Sequence, residues 1–316
     1  MKKMLFFLLI ISLVLGLTGC KEKRDITIAI ISKGYQQEFW RTVELGARKA
    51  AAESNVKITF VGPDKETDIA GQVNMVHEAV NQKVSAIVLA ALDSQLLLPV
   101  VEKAHSNNIP VITFDSNIEG NIPLSFAATD NVVASTTAGK EMAKLMNENG
   151  KVAIVSHLAG TQSAIYREKG FKDEISKHPQ MQIINTYYSD GDRKKAEAIT
   201  KDIIASNPDI SAIYATCEGA AVGVADAIKE EGKTGKISIV GFDSSEDEIK
   251  YINDGVINGT VIQNPYQMGY ISVKKALSAI KGENVEKRID TGVTYVNKSN
   301  INTTDVNKLI HPLNNS

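Results

Sequence analysis

From Asp25 onward the chain alternates two kinds of segment, and this alternation restricts the folds open to it more than any other feature. Short β-branched runs stand at Ile26–Ile31, Ile58–Val61, Ala86–Ala90, Pro110–Phe114, Val152–Val155, Ile183–Tyr187, Ala212–Ala215 and Ile237–Gly241. Such continuous apolar runs suit parallel strands covered on both faces. Amphipathic stretches of helical length separate them: Phe39–Ala52, Ile69–Gln82, Gln95–Asn107, Thr136–Glu148, Ala164–Lys177, Lys194–Ser206, Ala220–Glu231 and Pro265–Lys281. Strand and helix alternating at this spacing imply βαβ units and parallel sheets. Asp68, Ser94 and Asp130 stand where helix N-caps belong.

The pattern repeats internally. Val84-Ser85-Ala86-Ile87 recurs as Ile210-Ser211-Ala212-Ile213, and Pro110–Ser116 parallels Ser238–Ser244, at offsets of 126 and 128 residues. Two matches at nearly one offset predict two similar halves, each an open parallel sheet. Ligands of such sheets bind beyond the carboxyl ends of the strands. Asp115 and Asp243 both fall at such ends, so halves that face each other bring two carboxylates into one cleft.

The N-terminus has a different character. Lys2 and Lys3 precede an apolar stretch from Leu5 to Leu15, and Leu17-Thr18-Gly19-Cys20 follows. A short basic start, a brief apolar core and small residues describe an export signal, here residues 1–19. A cysteine after Leu-x-Gly resembles the bacterial lipobox. That resemblance implies diacylation of Cys20, a lipidated start with a short linker over 20–25, and an extracytoplasmic protein held at the cell membrane. Without Lys2 and Lys3 the chain has 33 basic residues against 37 acidic ones, which argues against a nucleic-acid partner. Beyond Cys20 the only cysteine is Cys217, so no disulfide framework is available. Five scattered histidines show no metal-site spacing, and no phosphate-binding glycine loop or nucleophile elbow is present, so no metal or cofactor is expected.

Ile28–Trp40, Val111–Asp115, Thr129-Asp130-Asn131, Val240-Gly241-Phe242-Asp243 and Gln263 together resemble the type I periplasmic binding proteins, the ribose- and arabinose-binding family, over Ile28 to about Val296. The resemblance implies an α/β protein of two doubly wound parallel-sheet lobes joined by a three-crossover hinge. The crossovers fall near 128–131, 257–264 and 290–293. Residues 26–128 plus 264–290 would form the N-terminal lobe, and 129–263 plus 291–316 the C-terminal lobe. Repressors with this fold carry an N-terminal helix-turn-helix where this chain has an export signal.

Site roles follow from the resemblance residue by residue. Lys33 matches a lysine that hydrogen-bonds sugar, and Gln37 supplies a polar contact. Phe39 and Trp40 give an aromatic wall for the C–H face of a sugar ring. Asp115, Asp243 and Gln263 match sugar-binding positions. The chain departs from the ribose pattern at Ser116 and Ile165, where that family member has arginines, and at Cys217, which replaces an asparagine and is followed by Glu218. Loss of two guanidinium forks argues against ribose held in the familiar way. Gln162, His157 or Tyr166 would then supply polar contacts, with Cys217 and Glu218 at the cleft, while Arg167 reads as a charge that stabilises its lobe.

The implied function is capture of a small sugar or polyol by a monomer and its delivery to an ABC permease. A receptor that signals to a membrane histidine kinase or chemoreceptor would use the same cleft. Receptors for furanone signals share the lysine and first aspartate, but their proline-containing later motif is missing here. A glycosidase using Asp115 and Asp243 is the enzymatic alternative; nothing else in the chain signals a water-activating arrangement, so a non-enzymatic role is expected.

Overall fold

A computed structural model describes residues 25–312. The export signal and Cys20 lie outside the described residues.

The first sheet contains β1 (Thr27–Ile31), β2 (Lys57–Val61), β3 (Ala86–Leu89), β4 (Val111–Phe114), β5 (Ser125–Ala128) and β11 (Arg288–Asp290). Its order is β2-β1-β3-β4-β5-β11, with every pairing parallel. The second sheet contains β6 (Asn149–Ser156), β7 (Gln180–Tyr188), β8 (Ile210–Ala215), β9 (Ser238–Phe242), β10 (Gly259–Ile262) and β12 (Thr294–Asn297). Its order, β7-β6-β8-β9-β10-β12, repeats the first strand for strand, except that β12 runs antiparallel to β10. The two sequence matches superpose β3 on β8 and β4 on β9, so the internal repeat is a repeat of structure.

Helices α1 (Glu38–Ser54), α2 (Ile69–Asn81) and α3 (Leu98–Ser106) cover the first sheet. Helices α4 (Asn131–Leu145), α5 (Gln162–Ile175), α6 (Arg193–Ser206), α7 (Glu218–Glu230) and α8 (Glu246–Asn253) belong with the second. Helix α9 (Pro265–Ile280) returns to the first lobe, and α10 (Thr304–Ile310) lies near the end of the chain. Side chains alternate across each strand, and each sheet accordingly has a core on both faces. Ile28, Ile30, Val88 and Phe114 pack with α1 and α9, whereas Ala29, Ile31, Ile87 and Leu89 pack with α2 and α3. In the second lobe Ala153, Val155 and Ile213 face α6 and α7, whereas Val152, Ile154 and Tyr214 face α4 and α5. Helices α1 and α9 approach backbone to backbone. A Cβ on Gly46 would lie 1.9 Å from the Tyr266 carbonyl oxygen, and one on Gly269 2.0 Å from that of Val43.

The chain passes between the sheets three times, from β5 to α4, from β10 to α9 and from β11 to β12. Asp68 and Asp130 cap α2 and α4 through their side chains. Ser94 is not a cap. Helix α3 starts at Leu98, and the Asp93 carboxylate instead accepts from Gln95 N and Leu96 N, both at 2.8 Å. No helix among the described residues is long and apolar enough to cross a membrane.

Candidate functional site

The carboxyl ends of the two sheets face each other, and the matched aspartates sit at equivalent places on them. Asp115 follows β4 with φ +54° and Asp243 follows β9 with φ +83°. A left-handed backbone at a non-glycine residue costs about 1–2 kcal/mol, and such strain gathers at functional sites. Each is held by the neighbouring strand in the same manner, Asp115 N donating to Ala127 O at 3.1 Å and Asp243 N to Val261 O at 2.9 Å. The two side chains are buried, at 3% and 4% exposure.

Lys33 extends from the loop after β1. That loop is fixed by buried Gln72, whose amide donates to Ser32 O and Ala90 O and accepts from Leu92 N. The ammonium lies 2.9 Å from Asp115 Oδ2, 3.2 Å from Ser116 Oγ and 3.3 Å from Ser163 Oγ. Ser163 belongs to α5 in the other lobe, so Lys33 bridges the cleft. His157 continues the chain of contacts, with Nε2 2.9 Å from Ser163 Oγ and Nδ1 2.8 Å from Thr216 Oγ1. Burial, helped by Arg167 and Lys33, pushes its imidazole well below the ordinary value and keeps it neutral.

Asp243 accepts from Gln263 Nε2 at 2.6 Å and from Glu218 N at 3.1 Å. Burial raises its carboxyl, against the opposing pull of Arg167. Phe39 and Trp40 pack edge to face with ring centroids 4.8 Å apart, and the indole N–H donates to Glu66 Oε1 at 2.8 Å. These residues enclose a cavity of about 20 Å³ lined by Lys33, Gln37, Phe39, Trp40, Glu66, Asp115, His157, Arg167, Cys217, Asp243 and Gln263. That volume holds about one water molecule and is far below the roughly 300 Å³ at the low end for small-ligand pockets. The lobes are therefore shut on their own side chains, and a ligand needs them further apart. Two wider cavities flank this centre. One of about 680 Å³ shares Gln37 and Glu66 with it, and one of about 480 Å³ shares Phe39, Asp243 and Gln263.

Most of the sequence-predicted residues thus converge, but three predictions change. Gln162 is half-buried at the start of α5 and does not line the cavity; the next residue, Ser163, turns inward instead. Glu218 is not in that lining either. Its carboxylate crosses to the other lobe and accepts from Glu38 N at 3.0 Å and Phe39 N at 3.2 Å, capping α1. Burial pushes this carboxyl up to about 7. Arg167 does hold its own lobe, donating to Asn131 Oδ1 and Thr216 O, both at 2.7 Å, with its guanidinium 3.7 Å from the centre of the Phe242 ring. It also reaches the cavity wall. Ile165 and Tyr166 point outward, at 50% and 41% exposure, so Tyr166 supplies no cleft contact.

Cys217 is buried at the wall, and burial raises its thiol, which disfavours the reactive thiolate. Glu66, in the loop after β2, and Ser163 escaped the sequence reading. Neither lies on a recognisable motif; only the apposition of the lobes brings them inward. Among the described residues no group of three His, Cys, Asp or Glu side chains is placed to hold a metal.

Comparison with known proteins agrees with this architecture. Residues 28–284 match the family model for the periplasmic binding protein domain. The ribose import binding protein of Haemophilus influenzae is 29% identical over 299 residues, covering 94% of this chain and 100% of that protein. The D-allose-binding periplasmic protein of Escherichia coli is 30% identical, covering 81% of this chain and 85% of that one. Among solved structures, an ABC transporter solute-binding protein from Agrobacterium vitis with bound D-fucose is 40% identical. It matches with a TM-score of 0.88 over 90% of this chain and 100% of its own. Two repeated open sheets, three passages between them and a cleft at their carboxyl ends have the same explanation as these matches: the chain belongs to the periplasmic binding protein family.

Proposed function

We propose that this protein is an extracytoplasmic solute-binding lipoprotein that captures a small sugar or polyol between its lobes and delivers it to an ABC importer. The observation that carries the reading is the meeting of Asp115 and Asp243 at one closed centre, beside the Phe39–Trp40 pair. Carboxylates accept hydroxyl donors, and the aromatic edges cover C–H surface. Lys33, Gln37, Gln263 and Cys217 complete the wall, with Arg167 as a further donor. Relatives that bind ribose, allose and fucose support a sugar as ligand. Ser116 is occupied with Lys33, Asp115 and Ser163, which supports a binding mode unlike one built on an arginine there. The charge and the lipobox-like run before Cys20 support export and attachment to the membrane through that residue alone. The protein binds its ligand without turning it over.

Thermal denaturation with D-ribose, D-allose, D-fucose and D-arabinose tests the reading. A sugar that binds only the folded protein should stabilise it by about 2.7 kcal/mol at a hundred times its Kd. Trp40 is the only tryptophan, so its emission should change as the lobes re-close on ligand. No stabilisation by any pentose, hexose or polyol would refute sugar capture.

A further inference from the structure

We propose that Glu66 is a specificity-determining residue of this cleft, whose second carboxylate oxygen accepts a hydroxyl of the bound polyol at the edge of the Trp40 indole. The inference rests on the sugar-binding reading and deepens it. Glu66 is 8% exposed and lines the inner cavity. Its Oε1 is held by Trp40 Nε1 at 2.8 Å, which orients the group. Its Oε2 has no hydrogen-bond partner among the described residues. A Cβ on Gly191, in the facing turn of the other lobe, would stand 3.6 Å from that oxygen, an ordinary contact distance, so the two lobes meet beside this carboxylate. Glu66 forms no ion pair among the described residues, because the nearby ammonium of Lys33 is engaged by Asp115. Burial accordingly raises its carboxyl above the ordinary value.

Another acceptor belongs to the same cavity lining. Gln263 Oε1 is buried without a partner, on a side chain 2% exposed. Apart from Arg167, the charged and ring donors of the wall are meanwhile committed to the protein. Lys33 has three oxygen neighbours, both His157 nitrogens are engaged, and the Trp40 N–H is taken. A buried acceptor without a donor, as Gln263 Oε1 is, is costly, and Glu66 Oε2 is an acceptor left open for a hydroxyl. Sugar hydroxyls are donors and satisfy both; a ring ether oxygen or a deoxy carbon does neither. The wall therefore selects ligands that present hydroxyls along this edge, and Glu66 discriminates against those lacking one there.

Glu66→Gln separates this role from mere support of Trp40, because the amide oxygen can still accept from the indole. Calorimetric titration of both proteins with D-fucose, D-arabinose, D-ribose and D-allose is the test. Loss of one charge-assisted bond should weaken the best wild-type ligand by about tenfold. The loss should be uneven across the four sugars, with the melting temperature and the Trp40 emission of the ligand-free protein unchanged. Glu66→Asp, which retains the charge but draws it back, should show the same selective loss and serves if the amide variant folds poorly. Unchanged affinities in both variants, or an equal loss for every sugar accompanied by altered Trp40 emission, would overturn the assignment and leave sugar capture standing. Failure of the wild-type protein to bind these four or any other pentose, hexose or polyol would sink both.

Discussion

Asp115→Ala should destabilise the protein strongly as well as abolish binding. Read from sequence, the substitution removes a ligand contact and leaves stability largely intact. The structure alters that expectation, because Asp115 and Lys33 form an ion pair at 2.9 Å with side-chain exposures of 3% and 4%. Stranding one charge of a buried pair costs about 3–5 kcal/mol. Ser116 and Ser163 still accept from Lys33 and hold the loss toward the low end. Alanine at φ +54° adds about 1 kcal/mol where aspartate is better tolerated. A total of about 4 kcal/mol corresponds to a fall of roughly 6–8 °C in a protein of this size. Differential scanning calorimetry of wild type, Asp115→Ala, Lys33→Met and the double variant measures it. Removing the stranded ammonium should return part of the stability, so the double variant should lose less than the two single losses added together. A melting temperature for Asp115→Ala within about 2 °C of wild type, or strict additivity in the cycle, would refute the argument.

Two further outcomes follow from other parts of the molecule. Burial raises the Glu218 carboxyl from its ordinary value of about 4.5 to about 7 in the folded protein. The folded state therefore holds a proton that the unfolded chain has released, and the associated stability, complete below the unfolded value, is lost as pH rises through about 7. The difference in melting temperature between wild type and Glu218→Gln should shift in favour of the variant between pH 5 and pH 8, a window set by those two values; a difference independent of pH would contradict it. Cys20→Ala should move the protein from the membrane fraction to the soluble fraction, and retention at the membrane would rule out lipid attachment there.

How much of this was legible in the sequence depended on whether the signal was local. The buried runs and amphipathic stretches marked eight strands and eight helices because period and composition are properties of consecutive residues. Strands β5, β10, β11 and β12 left no such mark. Ser125–Ala128 and Gly259–Ile262 are four residues each, with small or glycine members, and become strands by pairing with β4 and β9. The matched aspartates were visible because the repeat placed both after equivalent strands. Glu66, Ser163 and the capping contact of Glu218 were not, since each is defined by a residue far away in the chain: Trp40, Lys33 and the N-terminus of α1. Gln162 and Ser163 are neighbours, and sequence could not decide which of the two a helix start would turn toward the cleft.

The contacts between the lobes also explain why closure can be reversible. They are largely polar and reciprocal. Glu218 caps α1 across the cleft, while Glu38, the first residue of α1, accepts from Glu246 N at 3.2 Å and so caps α8 in return. Gln37 Nε2 reaches Gly191 O at 3.5 Å, and Lys33 reaches Ser163. Water can serve each of these groups when the lobes part, so each bond contributes only about 0.5–3 kcal/mol net, the upper end for those to charged groups. The large apolar cores lie within the lobes, on the faces of each sheet, and need not change as the lobes separate. Opening and closing therefore differ by a few modest terms, and a ligand whose hydroxyls satisfy the acceptors of the cleft, Gln263 Oε1 among them, can decide between them.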